Sequence, residues 1–176
     1  MVFGLALCAS AFASAPGVWL DVPFVRQTSD GCGAASIAMV MQYWQRQQGA
    51  PPGSAANADY ILHALYSSAA HGIYASAMLR YLQQHGYRAF AFRGDWAMLA
   101  EHLRKGRPLI AALRPASDPS LHYVVVAGLD ETRQIVLLND PAQRKLLKED
   151  RAQFEREWKA TDDWTLLAVP AHGTAR

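Results

Sequence analysis

A cysteine between two glycines is the first chemistry the chain offers. In Gln27-Thr28-Ser29-Asp30-Gly31-Cys32-Gly33-Ala34-Ala35-Ser36-Ile37-Ala38-Met39 it follows a polar turn and opens an apolar run. Ala34, Ile37, Ala38, Met41 and Gln45 recur at helical spacing, and Ser29 or Asp30 can cap the helix they predict. Cys32 then stands at a helix N-terminus, where free backbone N–H groups and the positive end of the helix dipole favour a thiolate over a thiol. Gly31 and Gly33 remove bulk on either side, so that a substrate backbone can lie close to the sulfur. Gln27, five residues upstream, is placed to donate its amide N–H to an oxyanion forming there. These are the parts of a nucleophilic cysteine. The blander alternative is a buried structural thiol, and the glycine setting at a helix start argues against it.

A thiol nucleophile needs a base, and the chain has six histidines. His63, His85 and His102 fall on predicted helices, His71 in a loop and His172 in the C-terminal tail, all readable as surface or boundary residues. His122 differs because it opens the apolar run His122-Tyr123-Val124-Val125-Val126-Ala127-Gly128. The next run, 134–139, leads into Asp140-Pro141, and Asp130-Glu131-Thr132-Arg133 joins the two as a hairpin. A turn centred near Glu131 pairs position 122 with 140, and a centre half a residue later pairs it with 141. Only one of Asn139 and Asp140 can face the histidine. Pro141 ends the strand after Asp140, which makes Asp140 the expected partner. The base would take the thiol proton, and the carboxylate would fix the imidazole tautomer and steady its positive charge.

The elements that must hold these residues are legible in outline. The spacing predicts a short strand over 19–25, with Pro23 suggesting a sheet edge, then the Cys32 helix to about Gln48, stopped by Gly49-Ala50-Pro51-Pro52-Gly53. Helices are expected over 57–65, over 75–85 ahead of Gly86, and over 96–105 with Asp95 as cap, with a strand over 87–92. From Pro108 the period changes. Short apolar runs at 109–113, 123–129, 135–138 and 164–169 read as strands of a mostly antiparallel sheet, with a charged helix over 150–159. Helices first and sheet later predict an α+β domain, without repeats.

At 176 residues, 51% hydrophobic and with a formal net charge of +2, the chain suits one globular domain. The absence of a basic run gives no reason to expect nucleic acid or an acidic membrane surface as partner. Residues 1–15 are uncharged and apolar and end Ala11-Phe12-Ala13-Ser14-Ala15, the pattern of a secretory signal peptide too short to span a bilayer. Cleavage after Ala13 would keep Pro16 clear of the cut. The expectation is an exported protein, periplasmic or secreted, with residues 16–176 as its single domain. Cys8 would leave with the signal, so Cys32 would be the sole thiol and no internal disulfide could form. A lone thiol in an oxidising compartment is a liability unless it is used. Neither metal-ligand spacing nor a phosphate-binding glycine loop occurs, so no cofactor is expected.

Gln27-x4-Cys32-Gly33-Ala34-Ala35-Ser36, then His122-Tyr123-Val124-Val125-Val126, then Leu138-Asn139-Asp140-Pro141 resembles the bacteriocin-processing family of cysteine peptidases. These are papain-like enzymes, best known as the domain that removes double-glycine leader peptides at bacterial exporters. Gly86-Tyr87 after a helix, Gly106-Arg107-Pro108-Leu109 before a strand, and Trp158 followed by the strand to Pro170 are similar to its soluble branch, so the likeness runs from about Val22 to Pro170. The resemblance implies a papain-like α+β fold with N-terminal helices, the Cys32 helix lying on an antiparallel sheet. It also implies Cys32 as nucleophile, His122 as general base and then acid, Asp140 as its orienter, and Gln27 with the Cys32 backbone N–H as oxyanion hole. A peptide or protein is the expected partner. No transmembrane helices or nucleotide-binding domain follow in this stretch, so exporter coupling is not expected from it. A double-glycine processor needs a narrow channel, and small residues beside the cut are therefore expected here, between walls near Gly31, Gly33 and Leu121. The 116–121 loop, which leads into His122, is expected to form a lip of that channel. Two other outcomes stay open: acyl transfer to an amine, and a silent domain that only binds peptides.

Overall fold

Residues 33–41 are buried without a break, a helix apolar on every side that the rest of the chain must cover. The computed structural model describes residues 17–116 and 120–171. The expected signal segment 1–15, His172 and the middle of the 116–121 loop lie outside the described residues. In chain order the elements are β1 (Val18–Trp19), α1 (Cys32–Gln47), a 3-10 turn (Ser54–Ala56), α2 (Ala58–Leu65), α3 (Ala75–Gln84), β2 (Tyr87–Arg93), α4 (Trp96–Arg104), β3 (Leu109–Leu113), β4 (His122–Asp130), β5 (Ile135–Asn139), β6 (Leu147–Asp150), α5 (Arg151–Lys159) and β7 (Trp164–Pro170). The strands form one antiparallel sheet in the order β2-β7-β3-β4-β5-β6, with β1 paired to β4. This is the expected α+β architecture.

Both faces of the sheet are covered, so its central strands read as continuous apolar runs rather than as alternating ones. One face carries α1, α2 and α3: Ile37, Met41, Ile61 and Met78 pack with Ile110, Tyr123, Val125 and Leu166. The other carries α4 and α5: Leu99, Leu103, Phe154 and Trp158 pack with Leu109, Val124, Val126 and Leu167. Hydrogen bonds key α1 to its neighbours. Ser36 Oγ donates to the Tyr123 carbonyl at 3.3 Å, Trp44 Nε1 to that of Ala168 at 2.8 Å, and Tyr43 to that of Gly106 at 2.9 Å. The first of these ties the helix to β4 one residue beyond His122.

The expected strand over 19–25 is a correction. Pairing stops at Trp19, and the chain continues as an extended segment held by Leu20 N–H on the Ala127 carbonyl at 2.8 Å. Pro23 has no N–H to continue the ladder. β6 is unforeseen: Leu-Lys-Glu-Asp carries no apolar pattern, and only pairing with β5 makes it a strand. The cap of α4 is as expected, the Asp95 carboxylate accepting from Met98 N–H at 2.8 Å; Asn57, read as the first residue of α2, is instead its cap, its side-chain oxygen accepting from Tyr60 N–H at 3.0 Å. The expected cap of α1 is corrected. Gly31 occupies that position, and no side chain bonds the first turn.

The hairpin that carries His122 and Asp140 departs in register from both alternatives. Val125 lies opposite Asn139 and Val126 opposite Leu138, while beyond Ala127 the partners become Gly128 and Leu137. Continued past Asn139, the first register sets Asp140 opposite Val124, on the same face as His122 because side chains alternate. The second register alone would set Asp140 opposite Val125, on the other face. The bulge at Ala127 therefore decides the parity. Gly128 next to it admits β1: a Cβ there would lie 2.6 Å from the Val18 carbonyl oxygen and 2.8 Å from Trp19 Cβ.

Candidate active site

Cys32 is the first residue of α1, His122 the first of β4, and Asp140 the first beyond β5. Tertiary folding brings all three together. His122 Nε2 lies 2.9 Å from Asp140 Oδ1, which leaves Nδ1 for the Cys32 sulfur, a hydrogen-bond partner of the same ring. The imidazole side chain is 20% exposed and the carboxylate 6%.

Burial alone would push His122 down, but hydrogen bonds to Asp140 and to Cys32, and the charges they carry, push it up to about 9. Burial likewise works against the Asp140 charge. The His122 hydrogen bond and charge, with the backbone N–H groups of Ala142 and Gln143, outweigh it and hold the carboxyl below its usual range. An imidazole so placed is able to accept a proton, and the carboxylate behind it fixes which nitrogen faces the sulfur.

These groups lie in a cleft of about 1150 Å³. One wall is the loop before α3, with His71, Gly72, Ile73 and Tyr74; the other includes Pro115, Ser120 and Leu121. Leu121 is thus at the cleft, and His71, read from the sequence as a plain loop residue, is there too. Gly31 and Gly33 do not line it, which corrects their expected place. A Cβ on Gly31 would lie 2.7 Å from the Thr28 carbonyl oxygen, and one on Gly33 would press on Ile73, Met78 and Tyr123 at 3.3–3.4 Å. Both glycines allow close packing behind the sulfur rather than access in front of it. The glycine that does line the cleft is Gly72.

Gln27 borders the cleft, but its Nε2 donates to the Ser29 carbonyl at 2.8 Å and its Oε1 is buried without a partner. One of its two N–H bonds is therefore occupied locally and the other remains. Its backbone N–H holds the Pro141 carbonyl at 3.0 Å, which joins the Gln27 segment to the turn after Asp140.

Several cleft residues escaped the sequence reading. Tyr123, 2% exposed, lines it with a hydroxyl that has no partner; burial and then the Cys32 charge push its pKa well above the ordinary tyrosine value. Glu149 is pushed up to about 7 by burial and then by Glu157, Asp140 and Asp150, with Arg156 acting the other way. Nothing in a four-residue polar run hints that Glu149 will meet Glu157 from the next helix. Among the described residues no group of three or more His, Cys, Asp or Glu could hold a metal ion, and no helix is long and apolar enough to cross a membrane.

The model of the Peptidase_C39 like family matches residues 19–165. The chain belongs to that family. Solved structures agree on the fold. A C39-like peptidase from Bacillus anthracis has a TM-score of 0.70 at 16% identity, covering 92% of this chain and 100% of that one. A double glycine motif protease from an AMS/PCAT transporter, solved with its leader peptide, has 0.64 at 23%, covering 87% and 94%. The peptidase domain of Streptococcus ComA, a bi-functional ABC transporter of a quorum-sensing pathway, has 0.63 at 19%, covering 84% and 97%. No curated protein matches the chain. Its family makes this chain a C39-like cysteine peptidase, and its fold is the papain-like one.

Proposed function

We propose that this peptidase cleaves peptide bonds through Cys32, His122 and Asp140, and the observation that carries the reading is the unbroken Cys32–His122–Asp140 hydrogen-bond chain bordering a cleft. His122 Nδ1 takes the Cys32 proton, and the thiolate attacks the scissile carbonyl carbon. The carbonyl oxygen becomes an oxyanion, held by the Cys32 backbone N–H at the start of α1 and by the free N–H of Gln27. The tetrahedral intermediate collapses as His122 gives its proton to the leaving amine, and the acyl group stays on sulfur. Water then gives a proton to His122 and attacks the thioester, releasing the acid and the thiol. Asp140 keeps its charge throughout. Cys32→Ala is expected to abolish both hydrolysis and labelling by a cysteine-directed electrophile while the fold survives. Hydrolysis that persists in Cys32→Ala would end the reading.

The preferred bond lies beside small residues. Gly72 and Leu121 both line the cleft and place no large polar group there, and the similar transporter domain is by its description a double glycine motif protease. Digestion of a peptide library, with Cys32→Ala as blank, tests this; cleavage clustered beside bulky residues would count against it. Export rests on residues 1–15 alone. N-terminal sequencing of the protein recovered outside the cytoplasm should begin near Ser14, and an intact Met1 there would remove that part of the proposal.

A further inference from the structure

Asp140 is held by more than its histidine. Its Oδ1 accepts from His122 Nε2 at 2.9 Å, from the Ala142 N–H at 2.9 Å and from the Gln143 N–H at 3.3 Å. Its Oδ2 accepts from the Gln143 side-chain Nε2 at 2.9 Å. Gln143 thus grips both oxygens, one with its backbone and one with its side chain. The turn that presents it is itself latched. The Arg26 guanidinium donates to the carbonyls of Ala142 at 3.4 Å and Gln143 at 3.0 Å, and Asp140 N–H donates to the Arg144 carbonyl at 3.1 Å.

We infer that Gln143 is a positioning residue for the peptidase reaction: its side-chain amide pins Oδ2 of Asp140 so that Oδ1 stays in line with His122 Nε2. The inference rests on the triad reading above. The torsion that turns a carboxylate is broad and two-fold, so a group held by one oxygen rocks about its Cβ–Cγ bond. Hydrogen bonds weaken steeply as they bend, so rocking costs the His122 contact first. Water from the cleft can replace the lost donor on Oδ2, but it follows the carboxylate instead of orienting it.

Two consequences of losing the amide oppose each other. A carboxylate with one donor fewer is more basic and would draw the His122 proton harder. A carboxylate that rocks draws it less. Oδ1 keeps its backbone donors, which already stabilise the charge, so orientation decides the sign. The other charged groups that act on the pair are the Cys32 sulfur on the far side of the ring and the Glu149 carboxyl on β6.

The test compares wild type with Gln143→Met, which has nearly the same length and no donor. His122 is titrated by histidine side-chain NMR, and Cys32 alkylation by iodoacetamide is followed against pH. In wild type His122 should titrate near 9. In Gln143→Met the midpoint should fall by roughly half a unit to one unit, and alkylation should slow by roughly twofold between about pH 8 and 9, where the variant has already lost the His122 charge that wild type keeps. The melting temperature should stay within roughly 2 °C, as for an exposed side chain away from the core. A midpoint equal to wild type, or one that rises, overturns the inference and leaves the triad standing. A wild-type midpoint near the ordinary histidine value overturns both.

Discussion

His122 keeps its proton far above the pH at which a free imidazole loses it, and the cause is the company it keeps on both sides. Its folded-state value of about 9 exceeds the ordinary 6.5. The protonated ring therefore favours the folded state fully below pH 6.5, and that contribution fades as pH rises through about 9. Asp140 has the opposite sign: its lowered value adds stability above the ordinary 3.8, which is lost as pH falls through the folded value. The alkaline limb of kcat/KM should accordingly lie near 9 in wild type. Asp140→Asn keeps the shape and removes the charge, so burial gains the upper hand and that limb should move down by roughly one unit or more. A limb that stays put would mean Asp140 does not set the histidine. Glu149 gives a second check. Its folded value of about 7 lies above the ordinary 4.5, so its charge works against folding above neutrality and not below pH 4.5. Glu149→Gln should raise the melting temperature at pH 8, by roughly 2–4 °C for each kcal/mol relieved, and leave it unchanged at pH 4.5.

Single elements carry the alignment of these groups. β4 meets β5 in two registers on either side of Ala127, and the one nearer the site puts Asp140 on the face of His122. Gly128→Ala should disturb this, since its methyl would enter the 2.6 Å gap to the Val18 carbonyl oxygen. A loss of about 1–3 kcal/mol in stability is expected, with slower Cys32 alkylation at pH 6. If the alkylation profile were untouched while stability fell, the bulge would not govern the triad. Caps behave differently because they touch only their own helix. Asp95→Ala removes the side chain that holds the first turn of α4. It should lower unfolding free energy by about 1 kcal/mol in a urea titration without changing Cys32 labelling.

Across the whole molecule the sheet divides two apolar clusters, one under α1 to α3 and one under α4 and α5. Ile37 and Phe154 are both fully buried, one on each side. Ile37→Ala should cost about 2–5 kcal/mol and Phe154→Ala about 3–5 kcal/mol. Because the sites share no contact the losses should add, and one unfolding transition should report both. Two separate transitions would show that the sheet does not couple its faces.

The Cys32 helix start, the two strands of the hairpin and the meeting of Cys32, His122 and Asp140 were legible in the sequence, because glycines, a proline and apolar periodicity act locally and leave a local trace. The parity that faces Asp140 toward His122 was reached from a register two residues away from the observed one, and it survived only because two is the period of a strand. The bulge at Ala127 has no signature in a run of small and branched residues, since it depends on β1 arriving beside Gly128. Gly31 and Gly33 looked like openings because a glycine's missing side chain does not say whether its space is left empty or filled. Ile73, Met78 and Tyr123 fill it at Gly33. The grip of Gln143 and Arg26 on the Asp140 turn, and the pressure of Glu157 on Glu149, join residues from separate elements. Such pairings exist only once the chain closes on itself, and the tertiary structure alone decided them.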